Sequence, residues 1–156
     1  MDGILIRAVE EDDLASIVEL LRQLKEHAQT ATKPDLIQVK QLYAEMLGNP
    51  QQYKNMVACA NGRVVGFISV VYYLSFLGRG GTALVNELVV STEHRRSGIG
   101  TALVQAAVNI SRRDAMDQIE VGTENDNLLA ANFYGKLGFD IEYRLFGMQL
   151  SSEQVR

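Results

Sequence analysis

The apolar positions of this chain change their spacing several times, and each change marks an element. Residues 4–9 (Ile-Leu-Ile-Arg-Ala-Val) predict an opening strand. Acidic residues 10–13 suit a helix start, after which Leu14, Ile17, Val18, Leu21 and Leu24 recur at helical spacing. A second helix is predicted over 35–47, stopped by Gly48-Asn49-Pro50. Two apolar, β-branched and aromatic runs, 53–60 and 64–74, flank Asn61-Gly62, a strong two-residue hairpin signal. A looser turn over 78–81 leads into a strand over 82–90. The helix after Gly98 carries Leu103, Ala106, Ala107 and Ile110 on one face, and 119–122 predicts a short strand. Asn125-Asp126-Asn127 offers caps for a helix over 128–137, which Gly138 ends as a left-handed C-cap. Residues 139–150 are strand-like.

This order, with an antiparallel front and a strand–helix–strand–helix back half, predicts an α+β fold. The unit over 84–122 should be a right-handed parallel crossover. The sequence contains no repeat, low-complexity tract or linker, so one domain over 1–156 is expected.

Composition narrows the partners. The chain is 47% hydrophobic and 22% charged, ordinary for a soluble globular protein. Its formal net charge of −4 argues against nucleic-acid binding, which calls for a broad basic face. Basic pairs are local, at Arg95-Arg96 and at Arg112-Arg113, the latter read as the solvated end of a helix. The single cysteine, Cys59, excludes an intrachain disulfide, lies in an apolar run as a buried structural thiol, and fits a reducing cytoplasm. No signal region and no membrane span are expected. Two histidines, His27 and His94, lack carboxylate partners at ligand spacing, so no metal is expected.

The densest chemistry lies over 85–100. A strand runs into a short basic loop with Gly98 and Gly100, and a long helix begins there. The first backbone N–H groups of a helix have no partner within it, and the helix dipole places positive charge beside them. Glycines let a phosphate approach the backbone, and Arg95 and Arg96 add charge and donors. The segment is therefore read as a phosphate, or pyrophosphate, cradle. It matches neither the Walker A pattern nor the dinucleotide fingerprint.

The spacing present is Arg-x-x-Gly-x-Gly, met by Arg95, Gly98 and Gly100. About thirty residues later comes Asn127-Leu-Leu-Ala-Ala-Asn-Phe-Tyr134-Gly-Lys136-Leu-Gly-Phe139. Together these resemble the GNAT superfamily of N-acetyltransferases, most closely over 83–139. The resemblance implies the GNAT fold: a central mixed sheet of six to seven strands with about four helices, splayed around an acetyl-CoA cleft. It implies acetyl-CoA as cosubstrate, with the backbone of Leu88, Val89 and Val90 pairing with the pantetheine arm and Arg95, Arg96, Ser97, Gly98, Ile99, Gly100 and Thr101 cradling the pyrophosphate. Arg96 is either a further contact to the 3′-phosphate or a solvated cation. Asn127 is implied as a contact to the cofactor arm and is also a natural helix cap. Tyr134 is implied as the acid that protonates the departing thiolate, against a plain core reading beside Phe133. Lys136 reads as a surface lysine.

An amine acceptor must lose a proton, and Glu87 is the carboxylate placed to help, directly or through water. Strand alternation points it into a cleft while Asn86 and Leu88 face the other way. The competing reading is a strand charge that orders water or binds a cationic substrate. His27 is read as a solvated helix-end residue in the region of the acceptor pocket. Tyr72, Tyr73 and Phe76 are candidates to line that pocket or to pack in the core, and the loops at 29–34 and 77–81 are expected to carry specificity. Residues 140–156 leave little room for the family's final pair of strands. Either the last strand is very short, near Met148 and Leu150, or it pairs with a neighbouring subunit in a homodimer. Three functions follow: acetylation of a small-molecule amine, which an acidic chain suits when the acceptor is cationic; acetylation of a protein N-terminus or lysine; and a non-catalytic acyl-CoA sensor. Intact Tyr134 and Glu87 favour an enzyme.

Overall fold

The computed structural model describes residues 3–25, 33–148 and 150. They fall into two compact units, Met1–Val121 and Gly122–Arg156.

In the first unit the elements follow as β1 (Ile4–Ala8), α1 (Leu14–Lys25), α2 (Leu36–Leu47), β2 (Tyr53–Ala60), β3 (Arg63–Tyr73), β4 (Thr82–Val90), α3 (Ile99–Arg113) and β5 (Gln118–Val121). The strands form one mixed sheet in the order β1-β2-β3-β4-β5. The first four are antiparallel neighbours, and β5 pairs with β4 in parallel after the α3 crossover. Asn61 and Gly62 both take positive φ, 49° and 75°, as a two-residue turn matched to strand twist requires. The Asp35 carboxylate caps α2 by accepting from the Gln38 N–H at 2.9 Å.

Cross-strand rows show how the sheet divides its two faces. Val57, Phe67 and Val89 stand side by side on β2, β3 and β4. They pack with Leu14, Ile17 and Leu20 of α1 in one cluster, which also holds the Cys59 thiol. The neighbouring row, with Gly66 opposite Ala58 and Val90, faces α3. A Cβ on Gly66 would lie 3.0 Å from Ile99 Cγ2 and from Leu103 Cδ1, so the missing side chain is what lets α3 sit this close. Ile99, Leu103, Val104 and Ala107 are all buried there.

The entry to α1 is held by an ion pair. Arg7 donates to both Asp13 carboxylate oxygens, at 2.6 and 2.8 Å, and Asp13 also accepts the Glu10 N–H at 2.8 Å. Asp117 plays a comparable part on the β3–β4 connection, where it accepts the N–H groups of Arg79, Gly80 and Gly81.

The second unit contains α4 (Leu128–Lys136). Asn127 caps it by accepting the Ala130 N–H at 3.0 Å, and Gly138 takes φ 93° just beyond it. Among the described residues the protein has five strands, not the six to seven expected. Residues 139–148 and 150 form no strand. Their alternating apolar residues Ile141, Tyr143 and Leu145 stand exposed. Alternation supplies a sided surface, but a strand needs a partner for its backbone groups, and this segment has none among the described residues.

Candidate active site

Asn55, Ser69 and Glu87 form the row next to Val57, Phe67 and Val89, on the same α1-facing side of the sheet. Asn55 lies opposite Ser69, and Ser69 opposite Glu87, so an amide, a hydroxyl and a carboxylate cross three adjacent strands. These three line a cavity of about 100 Å³. Its remaining walls are apolar side chains of α1 and α2, chiefly Leu14, Ile17, Leu21, Leu42 and Met46, with Phe67 in the floor. Tyr43 also lines it, but the phenol donates to the Val9 carbonyl at 2.8 Å.

Glu87 is the charged residue of this lining. Burial pushes its carboxyl above the usual carboxylate range, and hydrogen bonds from Ser69 and Asn86 pull it part of the way back. It is thus a stronger base than an exposed glutamate, and it keeps two donors that steady its ionised form. Asn55 Oδ1 is closed off from solvent with no hydrogen-bond partner, while its Nδ2 donates to Met46 Sδ at 3.3 Å.

An irregularity in β4 sets this geometry. Opposite Glu87 stands Ser69, and opposite Val85 stands Val70, so Asn86 is an extra residue with no partner on β3. It is a β-bulge. Strict alternation would turn Asn86 away from Glu87. Instead the bulge brings the two side chains together, with Asn86 Nδ2 donating to Glu87 Oε1 at 2.9 Å. On its other side β4 pairs with β5 only from Thr82 to Val85. From Asn86 to Val90 that edge has no strand beside it among the described residues. Leu88, Val89 and Val90 are therefore placed on an open strand edge, and the Val89 side chain is committed to the core.

Beyond Val90 the chain makes a single 3₁₀ turn, Thr92–His94. The Ser91 hydroxyl meets His94 Nδ1 at 2.8 Å, the Ser97 hydroxyl donates to the His94 carbonyl, and Arg95 Nε lies 3.5 Å from the Val90 carbonyl. Arg96 and Gly98 both take left-handed backbone, φ 62° and 83°. Helix α3 starts at Ile99 with no side chain capping it. Arg95, Arg96 and Ser97 are exposed around that start. The Ile99 side chain is buried against the sheet, so its N–H, with those of Gly100 and Thr101, is what this residue offers to an anion.

In the second unit Tyr134 sits between two rings, with centroids 5.0 Å from Phe133 and 5.4 Å from Phe139, both edge-on. Burial raises the phenol above its ordinary value of 10.0, so it holds its proton throughout the neutral range. Asn127 is the cap described above, and Lys136 lies in the last turn of α4.

Several expectations fall elsewhere. Tyr72, Tyr73 and Phe76 are not in the cavity lining. Tyr72 is buried with its hydroxyl on Asp114 at 3.2 Å, Tyr73 donates to Glu120 at 2.9 Å, and Phe76 is fully exposed. His27 and residues 29–32 lie outside the described residues. Among the described residues no group of three or more His, Cys, Asp or Glu could hold a metal, and no helix is long and apolar enough to cross a membrane. The residues not anticipated are Asn55, Ser69 and the α2 lining. Asn55 and Ser69 are polar interruptions of apolar strand runs, and that was the available signal.

Comparison with known proteins bears on this arrangement. A model of the Acetyltransferase (GNAT) family matches residues 14–139. Glucosamine 6-phosphate N-acetyltransferase of Trypanosoma brucei brucei is 30% identical over 149 residues, covering 93% of this chain and 95% of that protein. N-alpha-acetyltransferase 30 of Schizosaccharomyces pombe is 33% identical over 99 residues, 62% of this chain and 64% of that one. The crystal structure of a Trypanosoma brucei acetyltransferase superposes with a TM-score of 0.76 at 29% identity, over 95% of this chain and 100% of that one.

Proposed function

The chain belongs to the acetyltransferase (GNAT) family and is an acyltransferase, and from that premise we propose that it transfers the acetyl group of acetyl-CoA to the primary amine of a small molecule. The observation that carries this reading is the position of Glu87: its carboxylate lines the cavity, and directly after it β4 runs on with an open edge. An extended ligand adds to such an edge through backbone hydrogen bonds. In this reading Leu88, Val89 and Val90 pair with the pantetheine arm. Arg95, Arg96, Ser97, Gly98, Ile99, Gly100 and Thr101 hold the pyrophosphate at the uncapped start of α3, and Asn127 contacts the arm. Several charge-assisted hydrogen bonds of about 1.5–3 kcal/mol each reach the roughly −8 kcal/mol of micromolar binding.

The reaction is direct attack in a ternary complex. A free amine of pKa about 10.4 costs roughly 4–5 kcal/mol to deprotonate at pH 7. Glu87 takes that proton, directly or through one water. The nitrogen lone pair then forms the new bond to the thioester carbonyl carbon, and the carbon–sulfur bond breaks. Tyr134 gives its proton to the leaving thiolate, and the second proton of the attacking nitrogen restores the phenol as the neutral amide forms. The terminal segment after Gly138 adds its alternating apolar residues to a neighbouring subunit in a homodimer, and the enzyme acts in the cytoplasm, where Cys59 stays reduced.

A thiol-release assay with acetyl-CoA across a panel of amines and peptides tests the reading. Release that depends on a small amine supports it. Release no faster than thioester hydrolysis with every acceptor removes it.

A further inference from the structure

The cavity beside Glu87 has a chemistry of its own, and what it says about the acceptor rests on the acetyl-transfer reading above. Leu14, Ile17, Leu21, Leu42, Met46 and Phe67 make it an apolar chamber. Its lining holds no lysine, arginine or histidine among the described residues. A phosphate placed there would face the Glu87 carboxylate with no counter-charge among the described lining residues, an arrangement that desolvation penalises heavily. The orphaned polar atom in the wall, Asn55 Oδ1, is an acceptor, so it favours a donor and disfavours an anion.

Hydroxyl-rich rings fit no better. The Ser69 hydroxyl is engaged with Glu87 and the Tyr43 hydroxyl with the Val9 carbonyl, so few partners are left for a sugar. Size adds a limit. The cavity measures about 100 Å³ and opens partly to solvent, so it encloses a short alkyl group and not a whole sugar ring. An extended polypeptide could insert only one end.

We propose that this cavity selects a compact aliphatic primary amine, its nitrogen at Glu87 and its carbon chain among Leu14, Ile17, Met46 and Phe67, over a phosphorylated sugar or a peptide. The positive charge of the incoming ammonium is met by Glu87, and its carbons displace water from the apolar walls. Leu42, which is partly exposed at α2, limits the chain length.

Three acceptors decide the matter: isopentylamine, glucosamine 6-phosphate and a tetrapeptide with a free N-terminus. The expected kcat/KM for isopentylamine exceeds the other two by about tenfold or more. Equal or better turnover of the phosphosugar or the peptide overturns the proposal. Leu42→Ala should raise the ratio of hexylamine to isopentylamine turnover by about tenfold, the scale of discrimination that added methylenes allow. An unchanged ratio overturns the placement of the chain. Calorimetric titration of the wild-type protein with each of the three acceptors in the presence of coenzyme A separates the two readings, isopentylamine being expected to bind at least about tenfold more tightly than the others. Saturable binding in that order with no thiol release from any acceptor removes acetyl transfer and keeps the selectivity, whereas absent binding or equal affinities overturn the selectivity itself.

Discussion

Ser69 stands directly across the β3–β4 ladder from Glu87, and its hydroxyl donates to the glutamate carboxylate. That contact opposes the burial that lifts the carboxyl above its ordinary value of 4.5. The folded protein therefore holds the Glu87 proton more tightly than the unfolded chain does. Between the ordinary and the raised value, stability falls as pH rises, because the unfolded state binds fewer protons there. Glu87→Gln should remove this part of the pH dependence of stability, as seen in urea midpoints across the acid range. The same variant should lower kcat/KM by about a hundredfold or more and abolish the acidic limb of its pH profile. Activity within threefold of wild type would exclude Glu87 as the base.

Tyr134→Phe keeps both ring contacts and removes the proton donor. The expected outcome is a fall in kcat of roughly a hundredfold with little change in the KM for acetyl-CoA. Since burial raises the phenol, wild-type kcat should show no alkaline decline from this group below about pH 10. Steady-state kinetics from neutral to alkaline pH checks both points, and an unaltered kcat sinks the acid role.

Gly98 occupies φ 83° immediately before α3. An alanine there is strained by about 1–2 kcal/mol, which disturbs the backbone that leads into the first N–H groups of α3. Gly98→Ala should raise the KM for acetyl-CoA by tenfold or more, beyond what its change in urea midpoint accounts for. Equal KM values would move the pyrophosphate elsewhere.

Asp13 is buried at 6% exposure and accepts from Arg7 and from the Glu10 N–H. The Arg7 guanidinium holds its carboxyl below the usual range of 3.8. The pair therefore contributes fully above that value and is lost as pH falls through the lowered one. Asp13→Asn should lose about 1.5–3 kcal/mol at neutral pH and flatten the acid limb of stability. Urea unfolding at neutral and acid pH gives both numbers.

Light scattering at micromolar concentration should return about twice the chain mass of 17.3 kDa if the terminal segment pairs between subunits. Deleting 140–156 should halve it. A monomeric mass for the intact chain excludes the homodimer.

Local chemistry explains what the sequence made legible. The Asn61-Gly62 turn, the Asn127 cap and the left-handed Gly138 each depend on a few adjacent residues, and the structure has all three. The row of Asn55, Ser69 and Glu87 was not, because it depends on the register of three strands. The same holds for the Asn86 bulge, which is a mismatch between β3 and β4 and has no signature within β4 alone. Tyr72 was ambiguous because alternation does not say which face carries the site. Its hydroxyl proved to be engaged with Asp114, next to α3. Residues 139–150 mislead for the opposite reason. Their pattern is that of a strand, yet pairing is a property of two segments.

Asn86 also limits how far the sheet can be regularised. Without that one residue Glu87 would keep its face, and the β3–β4 ladder could run on unbroken. The repaired ladder would pair its backbone groups without interruption and would lose the hydrogen bond from Asn86 to Glu87. Mutations selected for a firmer fold and mutations selected for turnover should therefore meet at this position with opposite signs.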